Sequence, residues 1–423
     1  MSEPGHPLRR ICAAVAAVLA LVAVVRVMLT YSHTAQAFDE PYHVAAAIEL
    51  LDRGTYTLDP LHPPLERIAI GIPLYLSGER FPKLARSESD ASTTPYLCAI
   101  GNAILNDAGR YARNLKLARL GILPFFLLGC SVVFFWATEE YGDLAGVAAV
   151  ALFTTLPIVL EFSGIAYTDM VAAATQAAAF WAYAKWLDTR TWRSTVWLGV
   201  ATGLALSSKF TTLLYLPVAL FSMTALRWWV LRLRNNRPTP AYRQTAKQVV
   251  AAGAIAIGFL WATYGFAVGH VRESMQIAPS SIPSFQHFPA PVARVARNLV
   301  LSDPKIPAPA LIRGVAMAWV KEKTEPSGYL LGRIQSGGWW YFFLVGIAVK
   351  TPVPFLILTV IGLFTLRGLR SEGRWTAMAP AVCALAILLV TLPVKINYGI
   401  RHVLVVFRCW RLWLGTDALF YGI

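Results

Sequence analysis

The sequence has too little charge to cover a soluble domain of its length. Only 14% of its 423 residues are Asp, Glu, Lys or Arg, whereas 56% are hydrophobic. A soluble fold would need a more polar surface, and the apolar residues stand in long blocks of the kind that cross a bilayer. The composition therefore predicts a polytopic, all-α membrane protein.

Cysteine is also scarce, and its spacing excludes two common kinds of site. The five cysteines are Cys12, Cys98, Cys130, Cys383 and Cys409. Four of them stand in apolar runs and one in a loop, and no spacing matches a zinc site or a disulfide framework.

The net charge of +15 lacks the pattern of a nucleic-acid-binding protein. There is no basic stripe interleaved with aromatic residues and no nucleic-acid motif. Internal repeats and low-complexity tracts are absent too. We interpret the basic residues as topological markers and contacts to lipid headgroups.

About ten apolar blocks are candidate transmembrane helices. They cover residues 11–31, 117–137, 144–162, 170–187, 193–207, 210–230, 249–268, 339–366, 376–394 and 402–420. Several approach the roughly 20 residues that a membrane-spanning helix needs. The block 193–207 is short, and Arg408 and Arg411 interrupt the last one.

Lys and Arg in the short loops fall mainly on one side of these spans. They are Arg9, Arg10, Lys185, Arg190, Arg193, Arg227, Arg232, Arg234, Arg237, Arg243, Lys247, Arg367, Arg370 and Arg374. The short loops opposite contribute only Lys209, so the positive-inside rule predicts that the first set is cytoplasmic. The long segments 32–116 and 269–338 are then extracytoplasmic loops of one transmembrane domain, residues 1–423.

The amino terminus has an alternative interpretation as a secretory signal. Arg9 and Arg10 precede the apolar run 11–25, and Ala35-Gln36-Ala37 could form a small-residue cleavage site. The apolar stretch continues past Arg26, however, which favours a membrane span. Under both interpretations Asp39 lies outside.

Two adjacent acids, Asp39 and Glu40 in "FDEPYH", follow the first span. Either could cap a helix whose first turn holds Pro41. The alternative is a general base that takes the proton of an acceptor hydroxyl at the outer membrane face. His43 stands three residues after Glu40, but one such pair is weak evidence for a metal site.

Further polar candidates fall at the same predicted face. His62 in "DPLHPPLER" is a candidate substrate contact or metal ligand, or it belongs to a rigid surface turn. Asp169 in "GIAYTDM" either caps the fourth span or lines a site with Asp39.

Cations that interrupt or begin apolar blocks are the other candidates. They are Lys209, Lys350, and Arg401 with His402 in "NYGIRHV". A charge below the headgroups costs at least about 2.5 kcal/mol, so it normally has a partner or a function. Lys209 and Arg401 could simply extend to the interface. Pro352 and Pro354 should break the helix beside Lys350. A lipid phosphate would satisfy such cations.

The motifs of this chain resemble those of bacterial polyprenyl-phosphate-sugar-dependent glycosyltransferases. They occur in the order FDEPYH, HPPL, YTDM, GLALSSKFTTLL, GGWWYFFLVGIAVKTPVPFL and NYGIRHVL. This GT-C superfamily group, glycosyltransferase family 39-like, is related to protein O-mannosyltransferases and the lipid A aminoarabinose transferase. The resemblance covers residues from about 10 to 405.

The resemblance implies an inverting transfer from a polyprenyl-phosphate sugar to a hydroxyl of a protein, lipid or glycan. Asp39 would be the catalytic base and Glu40 would support it by position. The lipid phosphate would be held by Lys350, Arg401 and Lys209. The implied sugar or acceptor contact is Asp169, and we count His62 and His402 as further substrate contacts. No cofactor is certain, a divalent metal ion remains an alternative, and the implied location is the bacterial inner membrane.

Two rival functions remain open at this stage. Intramembrane charges and broken helices also fit a polytopic transporter of a small or lipid-linked solute, which would predict repeat symmetry. An inactive, truncated paralogue is the second rival, because residues 402–423 do not continue with the further spans of the family.

Overall fold

The computed structural model describes residues 7–83, 94–233, 242–274, 287–324, 327–397 and 399–406. These residues are mainly helical, which confirms the predicted all-α membrane class. The helices are α1 (Pro7–Thr30), α2 (Glu40–Ile48), α3 (Leu65–Leu76), α4 (Thr94–Leu105), α5 (Tyr111–Leu120), α6 (Leu123–Tyr141), α7 (Asp143–Thr155), α8 (Pro157–Ser163), α9 (Thr168–Thr189), α10 (Trp192–Leu206), α11 (Thr212–Leu233), α12 (Tyr242–Thr263), α13 (Val271–Ser274), α14 (Ala290–Ser302), α15 (Pro309–Thr324), α16 (Phe342–Lys350), α17 (Val353–Glu372) and α18 (Trp375–Thr391).

The first nine predicted spans each overlap at least one of these helices. Among the described residues, four helices are long and apolar enough to cross a bilayer, or six if each of two bent pairs counts as one span. Helices α10 and α18, with 15 and 17 residues, are shorter than the roughly 20 residues of a typical span. Of the tenth predicted span, 402–420, residues 407–420 lie outside the described residues.

Both bent pairs break at a proline. Helices α7 and α8 meet at 70° before Pro157, and α16 meets the first part of α17 at 116°. Residues Thr351 and Pro352 form the second break, because a proline ring cannot supply the backbone donor that a continuous helix needs. The predicted break beside Lys350 is thus confirmed.

Small residues set the packing of the first helix. Cys12, Ala16, Ala20, Ala23 and Val27 form its buried stripe at helical spacing. Helix α1 packs against α7, while leucines and valines on its other faces are exposed to the surroundings. This pattern suits a peripheral membrane helix, because only the small-residue face approaches other helices closely.

Helix α10 approaches α12 through a Gly-x-x-x-Gly pair. A Cβ atom on Gly199 or Gly203 would lie 2.7 Å from the Cβ atom of Ile255 or Phe259, respectively. A side chain at either glycine would push the two helices apart. The glycines therefore permit this tight helix pair.

The two segments that the sequence predicts as outer loops contain ordered structure. In the first, α2 to α5 pack together and a π-helical turn, Glu49–Arg53, extends α2. In the second, strands β1 (Val268–His270) and β2 (Lys305–Pro307) pair antiparallel, with Gly269 opposite Ile306. Strands β3 (Ser327–Leu330) and β4 (Arg333–Ser336) form a hairpin.

Candidate active site

A cavity of about 1090 Å³ lies between the start of α2, the loop before α3, α8, the loop between α10 and α11, and the end of α16. Six of the eight predicted site residues line it: Asp39, His62, Lys209, Lys350, Arg401 and His402. The other two, Glu40 and Asp169, do not line it; their side chains are buried beside lining residues. The structure thus brings the predicted residues together around one space.

Asp39 stands at the N-terminal end of α2 but does not cap it. Its side chain makes no capping hydrogen bond, although Pro41 occupies the first turn as predicted. The Arg401 Nη1 atom instead donates to Asp39 Oδ2 over 3.2 Å. Both side chains are partly exposed, 32% for Asp39 and 23% for Arg401. The carboxylate therefore faces the cavity and can reach a bound ligand.

Tyr167 fixes the backbone beside this carboxylate. The Asp39 backbone N–H donates to Tyr167 Oη over 2.9 Å, and the Arg401 guanidinium lies 5.4 Å from the centre of the Tyr167 ring. Burial raises the pKa of Tyr167 to about 12, so the phenol stays neutral at physiological pH. Tyr167 therefore holds the Asp39 backbone through its hydroxyl and lies beside the Arg401 guanidinium.

Glu40 belongs to a buried clamp with Arg119. The Arg119 Nε and Nη2 atoms donate to the two Glu40 oxygens over 2.9 and 2.8 Å. The same carboxylate accepts from the backbone N–H groups of Ala37 and Ala166. Both charged side chains are 0% exposed. Glu40 therefore holds the segment before α2 against the loop before α9.

Lys209 and Asp169 form a second buried ion pair. Lys209 Nζ donates to Asp169 Oδ1 over 2.6 Å, and the side chains are 7% and 3% exposed. Asp169 lies in the first turn of α9 without capping it. The pair joins the start of α9 to the loop before α11, and only its lysine lines the cavity.

Lys350 ends α16 at the broken helix and is exposed. Within the described part of the chain, it makes no ion pair. The 116° bend after it leaves Lys350 on the wall of the cavity. It is thus a cation that an anionic ligand can approach.

Two imidazole nitrogens in the cavity wall, His62 Nδ1 and His402 Nε2, are buried and have no hydrogen-bond partner among the described residues. Burial, followed by the charge of Arg67, lowers the pKa of His62 well below its ordinary value. A neutral His62 can offer a donor or an acceptor to a ligand hydroxyl.

Beneath His62 lies a buried cluster that the sequence analysis did not identify. Arg67 Nη2 donates to Asp59 Oδ2 over 2.7 Å, and Arg67 Nη1 contacts both Glu66 and His43. His43 Nδ1 lies 3.0 Å from Glu66 Oε2, and its ring stacks between those of His62 and Tyr167. Burial opposes ionisation of Glu66, but His43 and Arg67 outweigh it and lower its pKa.

These residues do not fit a divalent metal ion. His43, Asp59 and Glu66 are the nearest group of suitable ligands, but the Arg67 guanidinium already binds both carboxylates. Within the described ranges, no three His, Cys, Asp or Glu side chains are arranged to hold an ion. We therefore derive no chemical step through a metal.

The arrangement can accept a proton and hold an anion in one cavity. Asp39 provides the carboxylate, while Arg401 and Lys350 provide positive charge. Sequence reasoning missed Arg119, Tyr167 and the Asp59–Arg67 pair. The only available signal for Arg119 was a charged residue at the start of the apolar block 117–137, because its partner is 79 residues away.

A family model for dolichyl-phosphate-mannose-protein mannosyltransferases matches residues 92–241. Comparison with curated proteins gives no significant match. The fold is similar to the crystal structure of ArnT from Cupriavidus metallidurans bound to undecaprenyl phosphate, with 13% identity, a TM-score of 0.58, and coverage of 94% of this chain and 59% of ArnT.

The fold is also similar to the Archaeoglobus fulgidus oligosaccharyltransferase tethered with an acceptor peptide. The identity is 13%, the TM-score is 0.52, and the alignment covers 95% of this chain and 49% of that protein. This chain therefore spans about half to three fifths of the length of these solved structures. The chain therefore has a fold similar to that of ArnT and of the oligosaccharyltransferase, and its residues 92–241 match the protein mannosyltransferase family model, in agreement with the resemblance stated from the motifs.

Proposed function

We propose that this protein is an inverting membrane glycosyltransferase that moves a sugar from a polyprenyl-phosphate donor to a hydroxyl acceptor. The observation that carries the proposal is the cavity in which Asp39 faces Arg401 and Lys350. The lipid phosphate bound in the solved structure of ArnT supports the donor class. The donor sugar and the acceptor are not specified by these residues.

In the proposed reaction, the acceptor oxygen attacks the anomeric carbon of the donor sugar. The new C–O bond forms as the bond between that carbon and the phosphate oxygen breaks. Asp39 takes the hydroxyl proton, and polyprenyl phosphate leaves with the electron pair of the broken bond. Attack from the opposite side inverts the anomeric configuration.

The cations have the task of stabilising the leaving phosphate. Arg401 and Lys350 are directed at the negative charge that develops on the departing oxygen. Lys209 is paired with Asp169, so we assign it to anchoring the cavity wall, where its ammonium can still donate a hydrogen bond to the phosphate. His62 and His402 are proposed to bind sugar or acceptor hydroxyls, because each has an unused buried nitrogen.

A transfer assay tests this proposal. Purified protein in lipid nanodiscs is incubated with polyprenyl-phosphate sugars and with peptide, lipid or glycan acceptors, and released polyprenyl phosphate and product are measured. We expect stoichiometric lipid phosphate and glycosylated acceptor. Lys350→Gln is expected to raise the donor KM about tenfold, since it removes one charge-assisted phosphate contact. Uptake of a solute without any glycosylated product would support the transporter instead.

We further propose that the cavity opens on the extracytoplasmic side of the bacterial inner membrane. Phe38, which is 75% exposed next to Asp39, is a suitable position for a labelling cysteine. In a cysteine-depleted background, a membrane-impermeant maleimide is expected to label Phe38→Cys in intact spheroplasts. Trp192→Cys, at the exposed start of α10 on the predicted cytoplasmic side, is the matched control and should react only after lysis. The opposite labelling pattern would contradict the proposed orientation.

A further inference from the structure

Arg401 has two competing uses in the cavity. It is one of the two cations assigned to the donor phosphate, yet it now binds the carboxylate assigned as the base. The contact is a single hydrogen bond of 3.2 Å between partly exposed side chains. By comparison, Arg119 holds Glu40 through two bonds of 2.8 and 2.9 Å in full burial. The Arg401–Asp39 contact is therefore the weaker and more easily exchanged of the two.

The partner that can move is the arginine. Asp39 is fixed through its backbone bond to Tyr167 and through the adjacent Glu40 clamp. Arg401 stands in one short turn, Ile400–Val403, and its long side chain lies along the cavity wall. A change in the Arg401 side-chain rotamers can release Asp39 without moving a helix.

A phosphate is a better ligand for this guanidinium than the single carboxylate oxygen that it now contacts. A guanidinium binds phosphate oxygens through two parallel N–H bonds, whereas here it makes one bond to Asp39. The same bond occupies Oδ2, one of the two carboxylate oxygens that can accept the proton of an acceptor hydroxyl. Binding of the donor phosphate and binding of the Asp39 carboxylate are therefore competing uses of one side chain.

We propose that Arg401 is exchanged between Asp39 and the donor phosphate, so that the carboxylate becomes available to the acceptor only after the donor has bound. This inference rests on the proposed function. The exchange moves no proton and breaks no covalent bond. It would order the reaction, with the lipid donor binding before the acceptor hydroxyl is activated.

Competition for one arginine has a measurable consequence for donor affinity. Removing the charge of Asp39 frees Arg401, so Asp39→Asn should bind undecaprenyl phosphate more tightly than the wild type. Because Arg401 then no longer has to give up a partly exposed ion pair, the affinity for undecaprenyl phosphate should rise about two- to fivefold. Arg401→Gln should weaken binding about tenfold, because a charge-assisted contact is lost. In the Arg401→Gln background, Asp39→Asn should bring no comparable gain.

The matched control is Asp59→Asn. It also removes one negative charge from the cavity wall, but Asp59 binds Arg67 and not Arg401. Any gain in affinity that it causes should be the same with and without Arg401. The dissociation constants are measured by titrating undecaprenyl phosphate into protein in nanodiscs, with folding checked by thermal unfolding. If Asp39→Asn does not fold, Asp39→Ser provides the same comparison.

The outcomes separate this inference from the proposed function. If the wild type binds undecaprenyl phosphate but Asp39→Asn does not bind it more tightly, the exchange is refuted and the donor class stands. A gain from Asp39→Asn that persists in Arg401→Gln would also refute the exchange, because it would be a general charge effect. If the wild type does not bind undecaprenyl phosphate, the proposed donor and the exchange are both refuted.

Discussion

The clamp between Glu40 and Arg119 allows a large and specific stability effect to be predicted. Arg119→Ala leaves the Glu40 carboxylate 0% exposed with no opposing charge. It also removes the hydrogen bonds that Arg119 donates to Thr34 and Ala35. Removing one partner of a buried ion pair costs about 3–5 kcal/mol. We expect a loss of that order in the free energy of unfolding.

The assay is denaturant unfolding in detergent, with Lys185→Ala as the matched control. Lys185 pairs with Glu139 over 2.7 Å, but these side chains are 45% and 34% exposed. An exposed pair contributes at most about 1 kcal/mol, so the control should unfold close to the wild type. The double variant Glu40→Gln/Arg119→Gln should be more stable than the sum of the single variants predicts, by about 1 kcal/mol or more.

Two results would refute this reasoning. The first is an Arg119→Ala protein that unfolds at the same denaturant concentration as Lys185→Ala. The second is strict additivity in the double variant, which would show that the two charges do not interact energetically.

Three further predictions follow from the same region. Gly101→Ala should cost about 1–3 kcal/mol and reduce transfer, because the new Cβ atom would overlap the carbonyl oxygen of Pro41 in the first turn of α2. Asp169→Asn should cost about 3–5 kcal/mol, because the Lys209 charge stays buried, and Asp169→Leu/Lys209→Met should recover most of it. His62→Gln should make the free energy of unfolding fall less steeply as the pH decreases. In the wild type the lowered pKa keeps His62 neutral in the folded protein, whereas the unfolded chain takes up a proton below about pH 6.5, so acidification favours unfolding.

Each of these has a direct check. The Gly101 variant is compared with Gly253→Ala, where no atom lies within 4 Å of the new Cβ atom, and equal stability of the two would contradict the packing argument. A double variant at positions 169 and 209 no more stable than Asp169→Asn would show that the charges are not the cause. For His62, the change of the unfolding free energy with pH is measured between pH 7.5 and 5.5. Replacing the histidine can alter this slope by at most about 1.4 kcal/mol per pH unit. Identical slopes for wild type and variant would contradict it.

The helices and their approximate bounds could be predicted because hydrophobic blocks carry that information locally. The block 170–187 lies inside α9, and the block 210–230 begins two residues before α11 and ends three residues before it does. That Asp39, Lys209 and Arg401 belong to one site was implied by the family resemblance, although their individual contacts were not. The proline-directed break after Lys350 was also local and is confirmed.

The remaining features depend on contacts between distant segments, which no local pattern encodes. Arg119 meets Glu40 across 79 residues, and Asp39 meets Arg401 across 362. Strands β1 and β2 have three residues each, and they exist only through their mutual pairing across the chain. The angle of the break after Lys350, 116°, could not be judged from sequence, because it depends on how the two helix segments pack.

The central claim is that Asp39 takes the proton of the acceptor, and a single-turnover measurement tests it most directly. Donor is bound first to wild type and to Asp39→Asn, acceptor is added, and the rate of product formation is recorded. The account predicts that Asp39→Asn still binds donor but transfers sugar at least about 100-fold more slowly, since general-base catalysis contributes about 10²- to 10⁴-fold. Transfer by Asp39→Asn at the wild-type rate would contradict it.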